Sequence, residues 1–472
     1  MANRPCRVQP LQPYSIPGVM FTRQQKEPPD QIMLARLRSL LFAVNASYWF
    51  FPALFALLAG LLAIGLVHLD ATGRTAWLED FPLIDLAQPD SASNMLTVIA
   101  GSMIGVASTV FSITIAAVAY ASGTYGPRLL TNFMEDRGNQ LSLATFIGTF
   151  VYALMVLRSV RSAHEVPGGG QQAGELAGFV PQLSLLVAFA LMLVSVAVLV
   201  FFLHHIPSSI RINSVLENIG ERLLAMIRDC FPGDNRGGQV RAQAIEGAEI
   251  AASTTGYIRV IDFDRLRDLA AKHGTDVGLV VRAGDFVHPG KSLARLGSTD
   301  AGKDLVAEIR DCFALGGSRT PEQDLEFSID ELVEIALRAL SPGINDPFTA
   351  ITAVHWLGAA TAELGNRDLS GHSRDGDEDA CTVIPLEDDF DHFVGRGFGA
   401  ARTALAANRL AALVTFDAIL SAARVIDDES RRGLLEREAG LLLEQAEKAL
   451  CGPDLEEVRA RHASFGKAFA EI

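Results

Sequence analysis

Four stretches of this chain are apolar for longer than any soluble core helix requires. They run at about 48–67, 96–121, 141–157 and 182–203. The second is the one the rest is organised around: LTVIAGSMIGVASTVFSITIAAVAYA, from Leu96 to Ala121, holds no Asp, Glu, Lys, Arg or His. Roughly 20 apolar residues cross the hydrocarbon core at 1.5 Å rise each, so this stretch spans with length to spare. Its small residues recur at steps of three and four. Gly101, Gly105, Ser108, Ser112, Ala116 and Ala119 form one seam, and Ile99, Met103, Val106, Val110, Ile113 and Val118 lie largely off it. Lipid gives helices little hydrophobic reason to associate, so contact depends on close backbone approach and polar glue, which a Gly-x-x-x-Gly seam with hydroxyls supplies.

The pattern changes after the fourth stretch. Ile212, Leu216, Ile219, Leu223 and Ile227 form a stripe at helical spacing, the mark of an amphipathic connecting helix that buries one face in a core or against another subunit. Short alternating runs at Gly256–Ile261 and Val277–Val281, split by a helical turn at 264–272, predict a β-rich module over 247–300. Beyond 301 the periodicity is helical. Ser328-Ile-Asp-Glu331 reads as a capping box opening a helix that ends at Ser341-Pro342-Gly343. Asp346-Pro347 restarts one, Asp as N-cap and Pro in the first turn. Long helices follow at about 397–424, 429–450 and 454–469. Residues 1–30, rich in proline, predict a mobile leader without a secretory signal pattern. Gln31–Asn45 predicts an amphipathic interfacial helix. The expected fold is therefore an α-helical membrane protein with four transmembrane helices over 31–206, a connecting segment at 207–246, and a cytoplasmic α+β region made of a small β module and a helical domain.

Charge sharpens this division. Mean hydropathy is +0.25. Residues 1–206 carry 11 basic and 11 acidic side chains, and residues 207–472 carry 29 and 44, so the whole net charge of −15 belongs to the second part. An acidic soluble part argues against nucleic acid as partner, because phosphate binding needs a basic face. Six basic residues precede the first span, whereas the loop 68–95 has one against five acids. The positive-inside rule then puts both termini in the cytoplasm of a bacterial inner-membrane protein. The five cysteines are scattered without a C-x-x-C pair, which fits reduced thiols better than disulfides or zinc.

Two resemblances add to this. Gly284-Asp-Phe-Val-His-Pro-Gly-Lys-Ser-Leu293 is similar to the closing hairpin of biotinyl/lipoyl-type barrel-sandwich domains, but no carrier lysine occupies its turn, since Lys272 falls in the helical insertion. The module is thus expected to be structural. The string Arg338-Ala-Leu-Ser-Pro-Gly-Ile-Asn-Asp-Pro-Phe-Thr-Ala350, with Tyr125-Gly-Pro-Arg-Leu-Leu130 and Arg319-Thr-Pro-Glu-Gln-Asp324, resembles a bacterial family of predicted four-span membrane proteins with a domain of unknown function. That resemblance implies membership from about residue 35 onward and no particular activity.

Candidate chemistry is sparse. No nucleophile elbow, phosphate loop, H-E-x-x-H or redox pair is present, so neither an enzyme nor a cofactor or metal centre is expected. Asn345 and Asp346, helped by Asp324 or Asp330, offer oxygens to a cation or a small cytoplasmic ligand; N-capping and a helix break explain the same residues without one. His204-His205 suits a metal, a pH sensor or the membrane edge. Thr97, Ser102, Ser108, Thr109, Ser112 and Thr114 either pack helices or line a watery path. Coupled transporters keep an ionisable residue at membrane depth, and these four stretches have none. A homo-oligomeric, channel-like assembly in the lipid bilayer, gated through its cytoplasmic domain, is the first expectation; a membrane-anchored sensor or scaffold with no path is the second.

Overall fold

The computed structural model describes residues 49–74, 88–126, 136–161, 179–209, 211–231, 245–298, 302–369, 383–386 and 389–472. The leader, the helix expected at Gln31–Asn45 and the acidic run 375–379 lie outside them.

Four helices are long and apolar enough to cross a membrane: α1 (Phe50–Ala71), α2 (Pro89–Tyr125), α3 (Arg137–Leu157) and α4 (Gln182–Ser209). They alternate in direction, and side chains fasten both ends. Asp70, near the end of α1, accepts from the Leu183 and Ser184 amides at the start of α4 at 3.2 and 3.0 Å, and from Ser184 Oγ at 2.7 Å. At the other end Asp136 caps α3 through the Gly138 amide at 2.8 Å and meets His205 Nε2 of α4 at 2.8 Å. About 31 Å of rise along α4 separates Ser184 from His205, which matches the hydrocarbon thickness. The helix α3 sits at the centre, packed on the other three. Its interior face carries Phe146, Tyr152, Ala153 and Val156, all fully buried.

The soluble part begins with α5 (Ile212–Cys230), entered through Arg211. Leu216, Ile219, Leu223 and Ile227 are fully buried, so its stripe faces a core within this chain. A module of two small sheets follows: β1 (Glu249–Ala251), β2 (Gly256–Ile261), α6 (Phe263–His273), β3 (Val277–Leu279), β4 (Phe286–Val287), β5 (Ser292–Leu296), α7 (Lys303–Arg310) and β6 (Phe313–Gly316). One sheet has order β4-β2-β6, entirely antiparallel. The other places β5 between β1 and β3, both antiparallel to it, with β7 (Val383–Ile384) added parallel to β3. Lys272, in the last turn of α6, is exposed and 3.8 Å from Glu308.

The helical part comprises α8 (Leu325–Ala339), α9 (Pro347–Gly365), α10 (Phe390–Val394), a π-turn at Gly395–Gly399, α11 (Ala400–Ala406), α12 (Arg409–Ala423), α13 (Glu429–Ala449) and α14 (Gly452–Phe469). Two expectations are corrected here. The helix predicted as one piece over 397–424 is interrupted, because Asn408 leaves helical geometry and caps α12 through the Ala411 amide. The capping box at Ser328 does not open a helix. Asp324 caps α8 first, through the Phe327 amide at 2.9 Å, so Ser328 and Glu331 lie a turn inside, buried and facing Arg222 of α5. A carboxylate one turn upstream outcompetes a hydroxyl for the free amides.

Candidate functional site

The second span is a helix of 37 residues, roughly 55 Å long against a hydrocarbon core of about 30 Å. Pro89 in its first turn and Gly126 at its end set these limits. Its two faces separate cleanly. Leu96, Ile99, Met103, Ala107 and Val110 are buried in the bundle, and further along Ala121 belongs to the core of the soluble helices, with Val118 packed against it. The bulky Ile99, Met103 and Val110 thus serve the protomer's own interior. Gly101, Gly105, Ser108, Ser112, Ala116 and Ala119 are all exposed. A methyl group built on Gly101 or Gly105 meets nothing within 4 Å. A shallow open groove runs along Ser108, Thr109, Ser112, Ile113 and Ala116. The hydroxyls on this face are already satisfied by their own helix: Ser108 donates to the Ile104 carbonyl, Thr109 to Gly105 and Ser112 to Ser108, at 2.9 to 3.0 Å.

The far end of α2 is wedged against α8. Gly126, with φ +135°, leaves no room for a side chain, since a Cβ there would lie 2.7 Å from Glu334 Oε1. Arg338 Nη1 reaches the Gly123 carbonyl at 3.5 Å. A groove lined by Asp330, Val333, Glu334, Leu337, Arg338 and Ser341 runs beside this junction. A displacement of α8 is therefore transmitted to a helix that runs into the lipid.

The residues read as offering oxygens to a cation or ligand are not brought together. Asp324 caps the start of α8, and Asn345 and Asp346 follow its end, with the Asp346 amide bonded to the Ala339 carbonyl at 2.7 Å. About 22 Å of helix lies between them. Asp346 caps α9, taking the Thr349 amide at 3.2 Å and its hydroxyl at 2.6 Å. Asn345 turns the chain in the left-handed region, φ +51°, which Asn tolerates better than most side chains. Asp346→Ala is expected to cost about 1–2 kcal/mol, the value of a lost N-cap, seen as a lower denaturation midpoint. Asn345→Gly should be near neutral.

Asp324 itself belongs to a charge cluster at the start of α8 that the sequence did not disclose. Arg319 grips it with Nε–Oδ2 at 2.6 Å and Nη2–Oδ1 at 2.8 Å, and reaches Asp330 at 2.6 Å. Arg396, from the π-turn, holds Asp330 with two bonds of 2.8 Å and Glu326 at 2.6 Å. Glu326 also meets Arg282 at 3.0 Å and His392 at 2.8 Å. Burial alone would raise the Asp330 and Glu326 carboxyls. For Asp330, Arg396 and Arg319 overcome it; for Glu326, Arg396, His392 and Arg282 do, and both carboxyls are held below their usual range. The cluster ties the β module, through Arg282 and the turn at Gly284, to the helix that abuts α2. A Cβ at Gly284, φ +94°, would overlap Asp324.

With four apolar helices and this junction in view, comparison with known proteins becomes informative. Residues 45–420 match a family described as "Predicted membrane protein (DUF2254)". The chain belongs to this family. It is also similar to uncharacterized protein Mb1321c of Mycobacterium bovis and uncharacterized protein Rv1290c of Mycobacterium tuberculosis, each 32% identical over 346 residues. Those alignments cover 71% of this chain and 64% of each relative. No solved structure matches.

Proposed function

We propose that this DUF2254 protein is a bacterial inner-membrane protein, with both termini cytoplasmic, that assembles as a homo-oligomer around α2. In this reading its axis is channel-like and its soluble domain, including a structural barrel-sandwich-like module, sets the state of that axis through α8. No catalytic role is assigned to it. The observation that carries the reading is the outer face of α2. In lipid, exposed apolar groups are neutral. The helix, however, is about 25 Å longer than the hydrocarbon core, and its far part is already seated in the soluble core through Val118 and Ala121. On its other side, at that same level, Ala116, Ala119 and Tyr120 stand exposed with no charge among them. Outside the bilayer such a surface calls for a cover, and the same face of a second copy fits it, because small residues allow close backbone approach.

The competing reading, a sensor or scaffold without a path, draws on the back-bonded hydroxyls of Ser108, Thr109 and Ser112, which need neither water nor ion. Cysteines placed singly at Ala116 and Ala119, with the native cysteines replaced by serine, distinguish assembly from its absence. Cross-linking between copies in membranes is the expected result, and monomer by mass in lipid nanodiscs removes the reading. Ion flux from the same cross-linkable sample, over a range of voltages and salts, separates channel from scaffold.

A further inference from the structure

The polar side chains of the bundle interior form a second feature, independent of the outer face of α2. Along α3, Asn139, Ser142, Thr149 and Tyr152 are buried at 2% exposure or less, spaced three to seven residues apart on the side facing α4. Leu141 and Leu154 stand exposed on the outside. The helix α4 answers at three levels. Asp136 meets His205 at 2.8 Å; Thr149 Oγ1 and Ser195 Oγ lie 2.9 Å apart; the Tyr152 hydroxyl donates to the Ser184 carbonyl at 3.0 Å. Ser184 Oγ in turn donates to Asp70 at 2.7 Å. A seam of exchangeable O–H and N–H groups thus runs between two carboxylates, Asp136 at one face of the slab and Asp70 at the other. Asn139 donates to Asp136 Oδ2 at 3.2 Å, but its Oδ1 is buried without a hydrogen-bond partner among the described residues. A buried amide oxygen left in this way costs on the order of 1–3 kcal/mol, and it marks a place where a water or hydronium would be held.

The seam has one interruption. Between Ser142 and Thr149 lies about 10 Å of helix rise, and on the same face, four residues after Ser142 and three before Thr149, stands Phe146, fully buried. An apolar ring at that point dewets the interval.

We propose that the α3–α4 seam of each protomer is a proton path, shut at Phe146 in the conformation described. Transfer along it makes and breaks only O–H and N–H bonds. Each hydroxyl passes its proton onward as it receives another, with Asp136 and His205 taking protons at one face, Asp70 releasing them at the other, and water bridging the interval once the ring moves aside. Buried polar side chains facing a bundle interior serve proton relays in this manner; the alternative is that they only hold the helices together.

The test uses the full chain reconstituted in liposomes containing a pH-sensitive dye, with a potassium gradient and valinomycin setting the potential. The wild type should leak protons slowly. Phe146→Ala should raise the flux severalfold, and adding Thr149→Val or Tyr152→Phe should return it to the protein-free level while the protein stays folded. Leu154→Ala, on the exposed face, should change nothing. Should the alanine variant not fold, Phe146→Leu, which keeps most of the apolar volume, gives the same reading with a smaller rise. A folded variant at position 146 with flux no higher than empty vesicles overturns the proposal. So does a rise that persists when Thr149 and Tyr152 are replaced. The outcome is separate from that of assembly around α2, since a monomer that conducts protons through this seam removes the axial reading and leaves this one intact.

Discussion

Arg319→Ala is expected to lower the stability of the soluble region by roughly 3–5 kcal/mol, the cost of leaving a buried charge without its partner. Asp324 is 1% exposed, and both of its oxygens are held by the Arg319 guanidinium at hydrogen-bonding distance. Removing the arginine strands that carboxylate in a site closed by the Gly284 turn. Asp330 suffers less, because Arg396 still grips it with two bonds. The double variant Arg319→Ala, Asp324→Ala should be less damaged than the sum of the singles, since no unpaired charge remains and only the cap of α8 is lost. Denaturation followed by the fluorescence of Trp356, which packs in this core, reads the effect. The pH dependence has a definite sign. The carboxyls of Glu326 and Asp330 are held below their ordinary values in the folded state. Their contribution is therefore present above the unfolded carboxylate range near pH 4 and is lost as pH falls through the lower, folded values. A midpoint that falls steeply below about pH 4 in the wild type, and less steeply in Arg396→Gln, is the expected result. Equal stability of Arg319→Ala and wild type would show that the cluster is solvated after all.

What the sequence disclosed and what it withheld divide along physical lines. The four spans were legible because apolar length is a one-dimensional property, and α5 because its stripe keeps a 3.6-residue period. Their ends were not. The first helix continues past residue 67 to Ala71 and the third begins at Arg137, before residue 141. Those extra turns bring Asp70, Asn139 and the Asp136 cap into the bundle. A window of apolar residues stops at the first polar side chain, so the groups that fasten the helices fell outside it. The α8 cluster was hidden for another reason. Its members come from residues 282, 319–330 and 392–396, and no local periodicity relates them. Only Arg319 and Asp324, five apart within one marker string, were visible beforehand, as a family resemblance without a role. The seam on α2 was legible as a pattern, but which side of it faced the protomer was not. Ile99, Met103 and Val110 take the interior, which leaves the glycines on the outside.

That placement makes Gly105→Ile a selective probe. A Cβ at Gly105 meets nothing within 4 Å in the protomer, so the added side chain has room there and the single chain should fold as before. Between two copies of α2 the same side chain stands where the backbones would approach most closely. Polar contacts between membrane helices are worth only about 0.6 to 2 kcal/mol each, so close packing must supply the remainder, and a branched side chain at the contact removes it. The expected outcome is loss of the assembled species in nanodiscs or native mass spectra, with the protomer's thermal transition unchanged. Val106→Ile, off the seam, should leave assembly in place. Gly220 gives the opposite pattern and calibrates the measurement. A Cβ there would lie 2.1 Å from the Trp356 ring, so α5 and α9 approach only because that position is bare. Gly220→Val must drive the two helices apart or push the indole out, at a cost of about 1–3 kcal/mol or more for overpacking. It should lower the folding midpoint of the soluble region whatever the state of assembly. Should Gly105→Ile destabilise the protomer as Gly220→Val does, the outer face of α2 is packed within the chain in membranes. Should it leave both stability and assembly untouched, copies of this protein meet elsewhere or not at all. Only loss of assembly with the protomer intact places the glycine seam between subunits.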